Sequence, residues 1–119
     1  MPDNMTIKHT LILFLMVMMA LPMAAQQKKT FIRVADEAFE DRRYSVAIEK
    51  YKKAYTKSKK NKAEQDRMSF MLAECYRLTG DLKRAKGQYR RLIRNGYDRR
   101  QPGILLHYAD ALKAEENFE

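Results

Sequence analysis

The sequence predicts an all-α protein, and three observations carry that prediction. Ala, Lys, Arg, Leu, Met, Glu and Tyr dominate the chain, and straight-chain residues of this kind lose little rotamer freedom in a helix. Gly and Pro, which interrupt helices, number only 4 and 3 in 119 residues. Apolar and small residues recur three and four positions apart from residue 31 onward, the period of an amphipathic helix. A chain of this length supports one small domain.

The first element stands apart from the rest. Lys8 and His9 open a basic start, Leu11 to Leu21 runs without a charge, and Met23-Ala24-Ala25 supplies small residues after Pro22. This is the three-part layout of a secretory signal peptide over residues 1–25, with cleavage expected after Ala25 or within a residue or two of it. The apolar run is shorter than the roughly 20 residues of a spanning helix, which favours a cleaved signal over the alternative, an uncleaved anchor. No Cys follows the run, so lipidation is not expected. Cleavage removes one Lys and one Asp and leaves the net charge at +9.

Residues 26–119 then read as five helices, at about 29–41, 44–59, 63–79, 82–95 and 102–115. Gly80 suits a left-handed helix terminus and Asp81 a cap for the fourth helix. Asn95-Gly96 closes that helix in the same way, and Pro102 suits the first turn of the fifth.

These helices repeat. Phe31-x-x-Val34-Ala35-x-x-Ala38 aligns with Ser69-x-x-Leu72-Ala73-x-x-Tyr76 and with Leu105-x-x-Tyr108-Ala109-x-x-Leu112. The first two are followed by Ala47-x-x-x-Tyr51-x-x-Ala54 and Ala85-x-x-x-Tyr89-x-x-Leu92. Polar breaks at Asp41–Tyr44, Gly80–Leu82 and Glu116–Phe118 separate the halves. Two antiparallel helices approach closely only where a side chain is small; Ala35, Ala47, Ala73 and Ala85 meet that need, and Tyr44, Tyr51, Tyr76 and Tyr89 fill the space around each crossing. Ala54 and Leu92 are expected to pack on the following repeat.

The pattern resembles the tetratricopeptide (TPR) family of helix–turn–helix repeats, with repeats at about 28–61, 66–99 and a partial one at 102–119. The repeats here are longer than the family's 34 residues, and the extra residues fall in the 58–61 and 98–101 stretches. The resemblance implies a right-handed α-α superhelix of about two and a half repeats that binds proteins. The third repeat stops before its second helix, so a longer architecture is expected. In this family the first helix of each repeat lines a concave groove. Carried over, that groove presents Lys29, Ile32, Asp36, Phe39 and Glu40 from the first repeat and Arg67, Phe70, Glu74, Arg77 and Leu78 from the second. Leu106, Asp110 and Lys113 come from the third. Such a mixed-charge surface with apolar points suits an extended peptide or a partner helix.

Two basic clusters, Lys50 to Lys62 and Lys83 to Arg100, fall on second helices and their loops. The resemblance puts both on the convex side, where they either form a solvated face or meet an anionic envelope surface. A nucleic-acid partner is not expected, because the aromatic residues are spent on helix packing.

Nothing in the sequence points to catalysis or to a cofactor. Cys75 reads as a small buried hydrophobe. His107 has no second His, Cys pair or carboxylate at ligand spacing, so no metal site is expected and it reads as a partly exposed helix residue. Asp36, Glu37, Glu40 and Asp41 lie on one amphipathic helix and suit solvent better than acid–base chemistry.

A signal peptide ending Ala-Gln-Gln and leading directly into Ala35-Asp36-x-x-Phe39 and Tyr44-x-x-Ala47-Ile48-x-x-Tyr51-x-x-Ala54 is also similar to the start of certain periplasmic proteins. Those carry TPR repeats followed by a β-propeller-like region and an outer-membrane-protein-A-type wall-binding domain, and some serve type IX (Por) secretion. The function implied is an exported, periplasmic or outer-membrane-associated scaffold in a cell-envelope complex. The alternatives are the accessory region of a longer envelope enzyme and a membrane-anchored adaptor.

Overall fold

A computed structural model describes residues 4–117, apart from the side chains of 19–22. Phe118, the apolar residue expected in a third turn, lies outside the described residues. Five α-helices account for nearly all of them: α1 (Asn4–Glu40), α2 (Tyr44–Lys57), α3 (Lys62–Leu78), α4 (Leu82–Arg94) and α5 (Gly103–Glu116). A short 3₁₀ turn at Tyr97–Arg99 joins the last two, and there is no strand among the described residues. Each helix packs mainly on its neighbours in the chain. Side-chain contacts also join α1 to α3, α3 to α5 and α2 to α4. The helices therefore zigzag between two rows, α1, α3 and α5 in one and α2 and α4 in the other.

The rows meet at small residues. Ala35, Ala38, Ala47, Ala73 and Ala85 are fully buried, and Ala54 and Leu92 with them. Tyr51 and Tyr89 are fully buried beside these alanines, while Tyr76 is nearly so and Tyr44 is half-buried. Burying Leu92 or Met68 contributes roughly 1.5–3 kcal/mol each.

The two complete hairpins share their turns in detail at a spacing of 38 residues. Arg43 N donates to Ala38 O, and Asp81 N to Tyr76 O, both at 2.8 Å. Arg42 N donates to Phe39 O as Gly80 N does to Arg77 O. Gly80 takes the left-handed conformation with φ 83°, and Arg42 is forced into the same region with φ 60°. Asp81 caps α4 by accepting from Arg84 N at 3.2 Å, and Asn61 caps α3 from Glu64 N at 3.1 Å. Gly96 is also left-handed, as its place after α4 requires.

Three features differ from the sequence reading. The first helix begins at Asn4 instead of residue 29, so the apolar run and the first repeat helix form one rod of about 55 Å. Pro22 withdraws one amide from the hydrogen-bond ladder without ending the helix. The third alanine at the crossing is Ala111, not Ala109: Ala111 and Ile104 are buried, and Ala109 faces solvent. Ala35, Ala73 and Ala111 thus keep the same 38-residue interval. Finally, the 98–101 stretch is not a plain loop. Its 3₁₀ turn buries Tyr97 against Phe70, with ring centroids 5.7 Å apart.

The left-handed Arg42 generates a stability prediction. A non-glycine residue there costs roughly 1–2 kcal/mol, against about 0.5–1 kcal/mol for the entropy of a glycine. Arg42→Gly is expected to raise urea-unfolding stability by about 0.5–1 kcal/mol, and Gly80→Ala to lower it by a similar amount.

Candidate functional site

The α1–α3–α5 row carries a polar cluster in each of the two complete hairpins, and its origin is the buried tyrosine behind it. A hydroxyl buried without a partner costs roughly 1–3 kcal/mol, so Tyr51 and Tyr89 each need an acceptor. An acid 15 residues earlier supplies it. Tyr51 Oη donates to Asp36 Oδ1 at 2.6 Å, and Tyr89 Oη donates to Glu74 Oε1. Burial, then the adjoining carboxylate, push both phenols well above their ordinary value, so both remain donors.

Each acid then meets a cation or an imidazole. Arg67 Nη2 donates to both oxygens of Asp36, at 3.1 and 3.0 Å, tying α3 to α1. Glu74 is buried and accepts from Arg77 Nη2 at 2.7 Å, with His107 Nδ1 on α5 also 2.7 Å away. An ionised carboxylate only accepts, so the proton in that contact sits on His107 Nδ1. The imidazole also stacks on Phe70, centroids 6.3 Å apart at an interplanar angle of 11°. Arg77 Nε is buried and has no hydrogen-bond partner among the described residues, which leaves a donor for water or a ligand group.

Burial alone would raise the Glu74 carboxyl, but hydrogen bonds from Arg77, Tyr89 and His107 outweigh it and hold the group below its usual value. Burial, then the charge of Glu74, push the Cys75 thiol up to about 12. That thiol is therefore protonated and inert near neutrality.

The expected groove residues divide into four groups. Asp36, Phe39, Glu40 and Arg67 surround one open depression of about 190 Å³, floored by Tyr51 and Met71. Phe39 packs edge-on to Tyr44, with centroids 5.7 Å apart. Phe70 and Glu74 meet His107, and Arg77 joins them through the other oxygen of Glu74, which is committed to internal bonds. Lys29, Ile32 and Leu78 flank these clusters along α1 and α3, with Lys29 and Leu78 exposed and Ile32 half-buried. Leu106, Asp110 and Lys113 are exposed on α5, and none of them lines the depression around Asp36 and Arg67.

The sequence reading missed Tyr51 and Met71 as floor residues and His107 as a member of the second cluster. The available signal was the acid placed 15 residues before a tyrosine in both hairpins. No group of three His, Cys, Asp or Glu side chains among the described residues is placed to hold a metal. Comparison with protein-family models, with curated proteins and with solved structures gave no match.

Because Glu74 is depressed on folding, its stabilising effect is complete above the unfolded carboxyl value and is lost as pH falls through the folded one. Glu74→Gln is expected to lower urea-unfolding stability by about 1–3 kcal/mol near neutrality. The gap to the parent protein should narrow as pH drops below about 4.5, the ordinary carboxyl value. A gap independent of pH would show that the charge of Glu74 does not hold the cluster.

Proposed function

We propose that this chain is a protein-binding scaffold of the TPR type, exported to the cell envelope, which grips a partner segment along the α1–α3–α5 row. The observation that carries this reading is the open depression between α1 and α3. It offers an acid, Asp36, held from behind by the Tyr51 hydroxyl, a cation, Arg67, paired with that acid, and an apolar point, Phe39, packed on Tyr44. Such a constellation recognises a chain by shape and charge and contains no activated nucleophile. The 38-residue recurrence of alanine crossings, turns and acid–tyrosine pairs supports the superhelical repeat architecture that this function needs. A role in type IX secretion or in a wall-associated assembly is the finer form of the proposal, and it rests on the order of signal and repeats.

A membrane-anchored adaptor is the second reading, favoured by α1. Its apolar residues from Leu11 to Met18 are exposed along a helix that continues unbroken into the first hairpin. That helix is long and apolar enough to cross a membrane, a property that signal sequences share.

The test is recovery of envelope partners on the full chain and on Phe39→Ala and Phe70→Ala variants, with the amino terminus of the recovered protein sequenced. The scaffold reading expects at least about ten-fold lower recovery in a variant whose melting temperature is kept, since anchors at binding hot spots contribute 2 kcal/mol or more. Undiminished recovery in both variants removes the groove as the binding site. A terminus at Gln26 supports export with cleavage, and a terminus at Met1 or Met5 supports the anchored adaptor.

A further inference from the structure

The opposite row carries a second site. The helices α2 and α4 stand on either side of α3, and a cleft of about 360 Å³ opens between them. Its floor is Leu72 and Tyr76 of α3, and its walls are Tyr55 of α2 and Arg91 of α4. A second depression, bounded by Arg84 and Gly87, continues it along α4. Lys52 stands at the rim, and no residue lining either depression is acidic. Among the described residues, only Arg84 of these three cations has a carboxylate partner, Asp81 at 3.2 Å.

The arginines are held ready. Arg91 Nη2 donates to Ser69 Oγ and to Gln88 Oε1, both at 2.8 Å, and its guanidinium lies 5.9 Å from the centre of the Tyr55 ring. Arg84 lies 5.6 Å from the centre of the Tyr76 ring. Fixing a guanidinium in advance lowers the entropy lost when it binds an anion.

Gly87 is the independent observation. It sits in the middle of α4, where a glycine is unfavourable relative to alanine. Packing does not require it: its backbone is ordinary helix and a Cβ added there meets nothing within 4 Å. Gly87 lines the second depression, so a larger side chain there would project into the open space beside it.

We infer that this cleft binds an acidic peptide segment carrying an aromatic or large aliphatic side chain between two carboxylates. The tyrosine-and-leucine floor takes the apolar side chain, and the rim cations take the acids. Arg84 and Arg91 are two helical turns apart, about 10 Å, which a peptide in the polyproline II conformation spans in about three residues, one full turn, with its first and fourth side chains on the same side. Carboxylates at positions one and four of the peptide therefore meet Arg91 and Arg84. This site lies on the α2–α4 row, away from Phe39 and Phe70, so its failure and that of the groove are separable.

The experiment is calorimetric titration of the full chain with acetyl-Glu-Phe-Ser-Glu-amide. Saturable binding is expected, absent for the Gln-Phe-Ser-Gln analogue. Arg91→Ala should weaken it by at least about ten-fold, the effect of one charge-assisted contact. Arg90→Ala removes the same charge from an exposed neighbouring position and should leave affinity within about two-fold. Gly87→Leu should abolish binding while the melting temperature holds or rises, because leucine is the better helix former. No saturable binding overturns the inference. So does equal loss in Arg90→Ala and Arg91→Ala, or unchanged affinity in Gly87→Leu. Tighter Arg91-dependent binding of adenosine monophosphate than of the peptide overturns the choice of ligand.

Discussion

The close approach of paired helices at alanine is the constraint on which the rest of this structure depends. Ala35, Ala47, Ala73 and Ala85 have no solvent exposure, and they share one buried cluster with Tyr51 and Tyr89. A helix pair brought this close shields most of its apolar stripe with little chain. That is how a domain of this size builds a core, given that small domains bury a smaller fraction of their surface. The same constraint fixes where the tyrosines go. Once Tyr51 and Tyr89 fill the space around the crossing, their hydroxyls lie inside the protein and need acceptors.

From that need follows the surface chemistry. Asp36 and Glu74 are positioned by the tyrosines behind them, and each in turn organises a group from a neighbouring helix of its row, Arg67 in one case and His107 in the other. The structural and binding roles therefore grade into each other. Glu74 is fully engaged inside, whereas Asp36 keeps a half-exposed edge in an open depression. In the proposed scaffold, a row of such acids with apolar points between them is what would present fixed charges to a partner. The buried thiol of Cys75, held protonated, adds no nucleophile. The α2–α4 row has the opposite character, with arginines held over tyrosines.

Most of the fold could be read from the amino acids. The bounds of α2 to α5 fall within two residues of the periodicity, because alanine and tyrosine stripes, Gly80 and Asp81 mark them. The start of α1 could not be read this way. A charge-free run ending at Pro22 looks like a separate segment, whereas a proline interrupts only the local ladder and the helix continues. The register of α5 was obscured because Tyr108-Ala109 imitates Leu72-Ala73. The 38-residue interval from Ala35 to Ala73 points instead to Ala111, and the buried positions follow that interval. For the site, the groove carried over from the TPR resemblance included Asp36, Phe39 and Glu40 of α1 and Arg67 of α3, and these four line one depression. That groove left out His107, whose partners Glu74 and Phe70 lie on another helix and 33 and 37 residues away.

The most direct test of the alanine crossings is urea unfolding of Ala47→Leu and Ala85→Leu, beside Ala109→Leu as an exposed control. Overpacking a tight crossing costs about 1–3 kcal/mol, so each of the first two should lose that much stability. Ala109→Leu should stay within about 0.5 kcal/mol of the parent, as surface changes do. Equal stability in all three variants would contradict the account, since it would mean that these helices do not require a small residue where they cross.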